Sequence, residues 1–540
     1  MEFRQLQTFA GVFGLAIVAG LAGAPGQAWA DNGQHNGPPD VTSAVKHDTL
    51  PSLRGVMPRP DDFAKSPHAH PLHLIPFIGG HGGTGGDGAV QSSAFGSAPA
   101  LSSTFDGVGQ GFSGPQGTFT VNSAPPDTIG AVGTTQYVQV VNTGFSVFDK
   151  TTKSAIYGPV PTSTLWAGFG GPCESDNDGD AVVVWDRAAG RWVISQFAVT
   201  SAPYYQCVAV SATADATGAY YRYAFAYGNA FPDYPKIGVW PDAYYVTFNI
   251  FNNGQTFAGA KLCAYDRNSM LNGAAATQQC FQLSTSYGGV LPANVDSATL
   301  PPAGSPNYML NFTSNQLNMW KFHVDWANPA NTSLTGPIAI PVASFSAACG
   351  GGTCIPQVNT RQKLDSLGDR LMYRLAYRNF GDHESLVVAQ SVQVGTSRKN
   401  PYTGVRWYEL RNPGAAQPTV YQQSSYAPDT NFRWMPSVAM DKLGDLAVGF
   451  SESSSAMYPA VRYAGRLATD TLSTLSAESS IVEGSGSQSG SNLSRWGDYS
   501  GMTVDPVDDC TFWYTNEYLK STGAFNWSTR IGTFKFATCQ

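Results

Sequence analysis

The stretch GDAVVVWD at 179–186, followed by RWVISQFAV at 191–199, indicates the fold class. Both runs are rich in β-branched and aromatic residues, and a short polar segment separates them. This pattern is typical of two neighbouring β-strands joined by a turn. The pattern returns in DYPKIGVWPDAYYVTFN at 233–249, and no long helical period interrupts these runs. The sequence therefore predicts an all-β protein.

A unit made of a polar loop, a small-residue strand and a more aromatic strand recurs along the chain. The units begin near residues 127, 180, 233, 296, 365, 435 and 498. These intervals are near the period of a four-stranded propeller blade with long loops. We therefore predict a β-propeller with seven blades; six blades and a two-domain β-sandwich are the alternatives. The last unit supplies about three strands, so we expect a strand near 117–123 to complete its sheet.

The composition limits the possible functions. The chain has 540 residues, of which 58 are Gly and 35 are Pro, and its charged fraction is only 13%. These values argue against a helical bundle, whereas the aromatic fraction of 12% argues against global disorder. The net charge of −7 excludes nucleic-acid binding through a basic face.

The first thirty residues resemble an export signal. Arg4 precedes an apolar stretch, and Ala28-Trp29-Ala30 fits a small-x-small cleavage site. A membrane anchor is the alternative, but the apolar run is short and Gly-rich for a span. We predict a signal peptide at 1–30 and a secreted protein, extracellular or periplasmic, whose mature chain has no transmembrane span.

Eight cysteines in an exported chain predict disulfides. Sequence proximity favours four pairs among the 105 possible connectivities. These pairs are Cys173–Cys207, Cys263–Cys280, Cys349–Cys354 and Cys510–Cys539.

Residues 31–115 differ in texture from the predicted propeller at 116–540. They are rich in Gly, Pro and Ser, and they hold six of the eight histidines. We interpret the segment as a flexible low-complexity leader or linker. The alternative is a transition-metal site at PHAHPLH (67–73), because neutral imidazoles are good ligands for such metals.

Several longer strings carry a family resemblance. They are PPDTIGAVG (125–133), RWVISQFAV (191–199), DYPKIGVWPDAYYVTFN (233–249), YRNFGDHESLVV (377–388) and RWGDYSGMTVDPVDDCTFWYTNEY (495–518). With these strings the chain resembles a group of secreted bacterial β-propeller proteins of unassigned activity, similar in architecture to the sialidase-like superfamily. The resemblance covers about 125–540 and implies the propeller fold. The Ser-x-Asp-x-Gly-x-x-Trp motif of sialidases has no match, so sialidase activity is not implied.

Charged loops that enter the inner strands would meet at one mouth of a propeller. They hold six aspartates, namely Asp127, Asp180, Asp233, Asp296, Asp365 and Asp498. Two carboxylates flanking a sugar ring suffice for glycoside hydrolysis. We predict Asp180 and Asp498 as the catalytic pair, with Asp233 and Asp365 next. The alternative is that each aspartate only fixes a turn.

Other side chains near this predicted mouth suit substrate binding. Arginine and lysine orient polar or acidic ligands, and aromatic rings stack on sugars. The predicted binding residues are Arg433, Arg495, Lys236, Tyr234, Trp434, Trp496 and Tyr499.

The run DNDGD at 176–180 resembles a calcium loop, because Asp176, Asp178 and Asp180 alternate. A structural calcium ion at Asp176 and Asp178 is one interpretation, and a charged turn is the other. No cofactor is required for the predicted chemistry.

These features together predict a secreted carbohydrate-active protein. We expect a monomeric glycoside hydrolase that acts on a polysaccharide through carboxylates at the propeller mouth. The alternative is a non-catalytic propeller that binds a glycan or a protein. Lactone or phosphoester hydrolysis at an axial metal is a third possibility.

Overall fold

The computed structural model of the protein describes residues 37–58, 67–75, 87–313, 315–395 and 402–540. The predicted signal peptide lies outside the described residues. Eight short strands come first: β1 Asp40–Ser43, β2 Lys46–Leu50, β3 His68–Ala69, β4 Val90–Gln91, β5 Leu101–Asp106, β6 Ser113–Gly114, β7 Gly117–Thr118 and β8 Ser123–Ala124.

Three units of four strands follow, each an antiparallel sheet. Unit 1 has β9 Ile129–Val132, β10 Gln136–Val141, β11 Gly144–Asp149 and β12 Ala155–Pro161. Unit 2 has β13 Val182–Asp186, β14 Arg191–Ala198, β15 Tyr204–Ser211 and β16 Tyr220–Gly228. Unit 3 has β17 Ala230–Val239, β18 Tyr244–Asn252, β19 Thr256–Tyr265 and β20 Thr277–Gln282.

Four further units complete the chain. Unit 4 has β21 Leu291–Val295, β22 Asn307–Thr313, β23 Gln316–His323 and β24 Ser333–Pro341, and the short strands β25 Ser346–Ala347, β26 Thr353–Ile355 and β27 Leu364–Asp365 come after it. Unit 5 has β28 Met372–Asn379, β29 Glu384–Gln393, β30 Thr403–Arg411 and β31 Thr419–Tyr426. Unit 6 has β32 Phe432–Met440, β33 Leu446–Ser454, β34 Met457–Arg466 and β35 Ser479–Val482. Unit 7 has β36 Gly501–Val504, β37 Phe512–Leu519 and β38 Trp527–Phe534.

Helices in the described residues are short. The α-helices are α1 Pro172–Ser175 and α2 Arg267–Leu271, and the 3₁₀ helices are Leu53–Gly55, Thr162–Trp166, Pro329–Asn331 and Ala348–Gly351. Within the described ranges, no helix has both the length and the apolar character needed to cross a membrane.

The first strand of each unit lies at the centre of the molecule. Each of these strands contacts the first strand of the next unit, and β36 of unit 7 contacts β9 of unit 1. Units 4 and 5 are joined more closely, because β21 and β28 pair in parallel. The all-β prediction is confirmed, and the closed ring of seven units is the arrangement that a seven-bladed propeller requires.

Small residues allow the central strands to approach closely. A Cβ atom on Gly238 of β17 would overlap the carbonyl oxygen of Ala293 on β21. A Cβ atom on Gly130 of β9 would overlap the Tyr137 hydroxyl. Larger side chains are excluded at such positions, whereas the apolar side chains of the other strands fill the space between sheets.

The described parts of residues 31–115 correct our interpretation of a flexible leader. β1 pairs with β20, β2 pairs with β16, and β4 pairs with β31, so three of these strands extend sheets at their outer edges. Backbone groups at an exposed sheet edge favour such pairing. The predicted boundary at 116 is therefore not a boundary between an unpaired leader and the ring.

The strand that closes the ring also differs from the expectation. β5 pairs antiparallel with β38, from Leu101 opposite Phe534 to Asp106 opposite Arg530. The predicted segment 117–123 instead holds β7, which pairs with β6. Unit 7 thus takes its fourth strand from the N-terminal part of the chain, as expected, but from an earlier segment.

All four predicted disulfides are formed. Their sequence separations range from 5 residues for Cys349–Cys354 to 34 for Cys173–Cys207. Cys510–Cys539 ties the loop before β37 to the C-terminal end of the chain. Such bonds persist in oxidising compartments, in keeping with an exported protein.

Candidate functional site

A cavity of about 500 Å³ lies at the end of the ring where the central strands begin. Its wall includes three aspartates predicted from the sequence, Asp180, Asp233 and Asp498. Arg370 and Arg495 line the same cavity. The repeat therefore brings together carboxylates that are more than 300 residues apart in sequence.

The chain enters the central strands through residues with left-handed backbone conformation. Each of the seven units has one such residue before its central strand or in the first half of it: Asp127, Asp180, Tyr234, Gly289, Leu367, Met435 and Gly497. Five of them are not glycine, although positive φ is uncommon for such residues. Conformations of this kind concentrate at functional sites, where the surrounding structure holds them.

Asn142 connects two of the buried aspartates. Its side-chain nitrogen donates to Asp127 Oδ2 at 2.9 Å, and its side-chain oxygen accepts from the Asp180 backbone nitrogen at 2.9 Å. The backbone nitrogen of Asp498 donates to Asp127 Oδ1 at 2.8 Å. Burial, followed by the charges of Asp498 and Asp180, raises the pKa of Asp127 well above its usual range. Asp127 thus fixes the loops of two cavity aspartates.

Asp180 lies in the cavity wall and is buried. Its Oδ2 accepts a hydrogen bond from the backbone nitrogen of Tyr234 at 3.2 Å. Burial, and then the charges of Asp233 and Asp498, raise the pKa of Asp180 to about 7. Near neutral pH this carboxyl group can therefore donate a proton.

The pKa of Asp498 is shifted in the opposite direction from that of Asp180. Its Oδ1 lies 2.5 Å from Nη2 of Arg495. Burial opposes its ionisation, but the charges of Arg495 and Arg370 outweigh burial and lower the pKa of Asp498. One cavity therefore holds a carboxyl group with a raised pKa, Asp180, and a carboxyl group with a lowered pKa, Asp498.

Asp365 does not line the cavity. Its Oδ1 accepts from the Leu367 backbone nitrogen at 2.8 Å, and its Oδ2 lies 3.9 Å from Nη1 of Arg495. Burial raises the pKa of Asp365, although the Arg495 charge opposes the increase. This geometry corrects its predicted catalytic position, because Asp365 fixes a turn and pairs with Arg495 without lining the cavity.

Lys236 is buried between two tyrosine rings. Its Nζ lies 3.4 Å from the centre of the Tyr234 ring and 4.1 Å from that of Tyr499, and it donates to the Pro235 carbonyl at 2.9 Å. Burial lowers the pKa of Lys236 to about 8, although the charges of Asp180 and Asp498 oppose the decrease. Sugar stacking on Tyr234 and Tyr499 is therefore corrected: both rings are buried around a cation.

The two tryptophans are also buried and cannot stack on a sugar in this structure. Trp434 and Trp496 pack on each other with ring centres 5.8 Å apart. The indole nitrogen of Trp496 donates to Ser451 Oγ at 3.1 Å. These rings are buried and do not line the cavity, which corrects their predicted role in substrate binding.

Arg433 lies outside the cavity, in unit 6. Its guanidinium contacts three carboxylates, Asp429 at 2.8 Å, Glu452 at 2.9 Å and Glu478 at 2.8 Å. Among the described residues, these acidic side chains are the only set of three or more His, Cys, Asp or Glu side chains close enough together to hold a metal ion. The arginine already supplies the positive charge between them, so its predicted role in substrate binding is corrected.

The two aspartates predicted to bind calcium, Asp176 and Asp178, form hydrogen bonds with different partners. Asp178 lines the cavity, and its Oδ2 accepts from the Val199 backbone nitrogen at 2.6 Å. Asp176 accepts from Ser175 Oγ at 2.7 Å. A calcium ion at these residues stays a prediction.

The sequence repeat predicts Asp296 at the mouth of the ring, and this prediction is wrong. Asp296 follows the end of β21 and forms an ion pair with Arg374. The loop that enters β21 instead contains Gly288 and Gly289, with no acidic residue.

Sequence reasoning missed three histidines of the cavity wall. His68, His70 and His73 come from the segment interpreted as a leader. β3 pairs in parallel with β8, and the His70 backbone nitrogen donates to the Ala124 carbonyl at 2.7 Å. Burial, followed by the charge of His68, lowers the pKa of His70 to about 4. The spacing in PHAHPLH was the available signal, but it indicated a metal site and not a position at the mouth.

His73 is the histidine that contacts a predicted site residue. Its Nδ1 lies 3.4 Å from Asp233 Oδ1. Its ring packs against Phe231 and Phe251, with ring centres 5.1 Å and 4.9 Å apart. The hydrogen bond with Asp233 raises the pKa of His73, although burial opposes the increase.

No protein-family model matches the chain, and no curated protein matches it either. Among solved structures, it is 10% identical to the polysaccharide lyase Uly1, with 83% of this chain and 99% of that chain covered and a TM-score of 0.35. The exo-β-1,3-galactanase 1,3Gal43A from Clostridium thermocellum is 10% identical, with coverages of 67% and 78% and a TM-score of 0.29. An endo-arabinase from Bacteroides thetaiotaomicron is 9% identical, with coverages of 54% and 94% and a TM-score of 0.27. The fold assignment therefore rests on the strand topology described above.

Proposed function

We propose that the protein is a secreted carbohydrate-active enzyme that hydrolyses a polysaccharide in the cavity of its ring. The observation that carries this proposal is the pairing of Asp180 and Asp498 in one cavity with pKa values shifted in opposite directions. Pairs of carboxyl groups separated in this way are suited to acid and base roles in one reaction.

The proposed chemistry follows from the two protonation states. Protonated Asp180 donates its proton to the glycosidic oxygen as the bond to the anomeric carbon breaks. Ionised Asp498 stabilises the positive charge that develops on the sugar, and it acts as a base toward water or as the nucleophile. Arg495 keeps Asp498 ionised, whereas burial and then the charge of Asp233 keep Asp180 protonated.

The second candidate function is binding without cleavage. One observation favours it: Asp180 Oδ2 accepts from the Tyr234 backbone nitrogen, as a carboxylate with a purely structural role does. The same cavity then holds a polysaccharide or a protein segment without reacting with it. The histidines and aspartates of the wall are the groups that donate and accept hydrogen bonds to sugar hydroxyls.

Secretion belongs to the same proposal. The four disulfides suit an oxidising compartment, and the sequence of residues 1–30 suits export. We further propose that the protein acts as a monomer on an extracellular or periplasmic glycan, without nucleic acid and without a required cofactor.

The test is an assay of new reducing ends on a panel of plant and bacterial polysaccharides. The parent is compared with Asp180→Asn and Asp498→Asn, and Asp382→Asn is the control because its exposed side chain lies in a distant hairpin. Cleavage by the parent and the control alone supports the proposal. If both site variants still cleave the polysaccharide, the protein is an enzyme, but Asp180 and Asp498 are not its catalytic residues. Retention of a polysaccharide without cleavage establishes the binding function instead.

A further inference from the structure

We propose that His73 is a positioning residue of the site, which fastens the segment 67–75 across the cavity and holds Asp233 in the cavity wall. This inference rests on the proposed function wherever it concerns the ligand. The attachment of the segment itself is a property of the free protein.

The segment 67–75 is attached at both sides of the cavity. At its beginning, β3 pairs with β8, and the His68 backbone nitrogen donates to the Asn122 carbonyl at 3.0 Å. At its end, Ile75 is buried and lies next to the positions of Gly288 and Gly289. Between these points the segment supplies part of the cavity wall. A ligand in the cavity would therefore touch this segment.

His73 provides the contacts in the middle. Phe231 and Asp233 lie two residues apart on β17, and the His73 ring contacts both of them. The backbone oxygen of His73 accepts from Arg370 Nη2 at 3.4 Å. One residue thus connects the segment to β17 through its side chain and to the loop before β28 through its backbone.

The charges around His73 make this attachment dependent on pH. Asp233 and Asp180 favour the charged imidazole, whereas burial and the charge of Arg495 oppose it. Arg370 contacts the backbone oxygen and not the ring. Since Asp233 raises the pKa of His73, the ion pair exists below that pKa and is lost as the pH rises through it.

Hydrogen exchange of the full chain without ligand tests the attachment. The variants are His73→Asn, which removes the charge, and His73→Lys, which keeps a cation at both pH values. His383→Asn is the matched control, because His383 pairs with the exposed Asp382 in a hairpin of unit 5. The parent and each variant are compared at pH 5.5 and again at pH 8.5.

We expect amides of 67–75 to exchange about fivefold faster in His73→Asn than in the parent at pH 5.5, the size of a partly exposed ion pair. At pH 8.5 the difference between the two proteins should be smaller, because the parent has lost the ion pair and keeps only the contacts of its neutral ring with Phe231 and Phe251. His73→Lys should protect the segment at both pH values, and His383→Asn should follow the parent. Equal exchange of parent and His73→Asn at pH 5.5 would overturn the proposal.

The ligand part is tested with the polysaccharide that the parent cleaves or retains in the panel. We expect its KM, or its Kd for a non-cleaving protein, to rise about fivefold from pH 5.5 to 8.5. In His73→Asn the constant should be high at both pH values. A residue that only stabilises the fold would leave the pH profile of KM unchanged.

Two outcomes separate the two proposals. If the parent acts on a polysaccharide and His73→Asn shows the parent's pH profile, the positioning role is overturned while the proposed function stands. If the parent neither cleaves nor retains any polysaccharide, the proposed function fails, and the role of His73 in ligand binding fails with it. In that case the exchange rates still decide whether His73 fastens the segment.

Discussion

Oδ2 of Asp180 accepts a hydrogen bond from the backbone nitrogen of Tyr234 at 3.2 Å, and so joins the loop before β13 of unit 2 to β17 of unit 3. Both residues have positive φ, at 44° and 56°. Oδ2 of Asp180 is therefore directed at the backbone of Tyr234, whereas Oδ1 does not take part in this hydrogen bond. Asp233 and Lys236 lie beside Tyr234 on β17, and their charges influence the proton on Asp180 in opposite directions.

The charge of Asp233 gives the first prediction. Asp233 is the strongest charged contributor to the raised pKa of Asp180, after burial. In Asp233→Asn that repulsion is absent, so the pKa of Asp180 falls, and the alkaline limb of the cleavage rate should move to lower pH. The measurement is the pH profile of kcat. Asp382→Asn should leave the limb in place, and an unmoved limb in Asp233→Asn would show that Asp180 is not the proton donor.

The proton on Asp180 also predicts how stability depends on pH. Its pKa is about 7 in the folded protein, above the unfolded value, so the folded state binds the proton more tightly. The resulting stability is complete below the unfolded pKa and is lost as the pH rises through about 7. A three-unit difference sets a ceiling of about 4 kcal/mol. Urea unfolding at pH 5 and pH 8 should show a smaller difference for Asp180→Asn than for the parent; equal differences would contradict this assignment.

Much of the fold was predictable, because it depends on local signals. Short β-branched and aromatic runs predicted the strands, their spacing predicted seven units, and sequence proximity predicted all four disulfides. The failures concern contacts between distant residues. Asp296 resembles the other loop aspartates, but β21 ends before it. Only the register of the strands shows which end of the ring an aspartate occupies.

The site was predictable only in part, for the same reason. Asp180, Asp233 and Asp498 share a recurring position, so the repeat brought them together correctly. Trp434 and Trp496 occur near the same position of their repeats, but both rings are buried in the packed interior. The sequence repeat does not distinguish a buried ring from one that lines the cavity. His73 lies 160 residues before Asp233, and no local pattern connects the two. Its role depends on a segment whose two-residue strand β3 is too short to be distinguished from a loop by composition.

Arg433 should contribute to stability and not to ligand binding. Its guanidinium is buried among Asp429, Glu452 and Glu478. Arg433→Met leaves Asp429 and Glu478 without this partner and Glu452 with Arg462 alone, so we expect a loss of about 3 kcal/mol in the free energy of unfolding. Arg462→Met is the comparison variant: Arg462 is more exposed and contacts buried Glu452 and exposed Glu483, and Glu452 keeps Arg433 in this variant, so the loss should be smaller than in Arg433→Met. Weakened polysaccharide retention by folded Arg433→Met would contradict this view.

Phe105 of β5 contacts both the first and the last unit of the ring. Its ring contacts Phe148 of unit 1 and Trp513 of unit 7, with ring centres 5.5 Å and 6.3 Å apart. A carboxylate at this position would have no partner among these rings, so Phe105→Asp should destabilise the protein by about 2 kcal/mol or more. Ser102→Asp places the same charge at an exposed position of the same strand and should cost much less. Chemical denaturation measures both. Equal losses would show that β5 contributes backbone pairing alone, and that the first and last units are held together by other contacts.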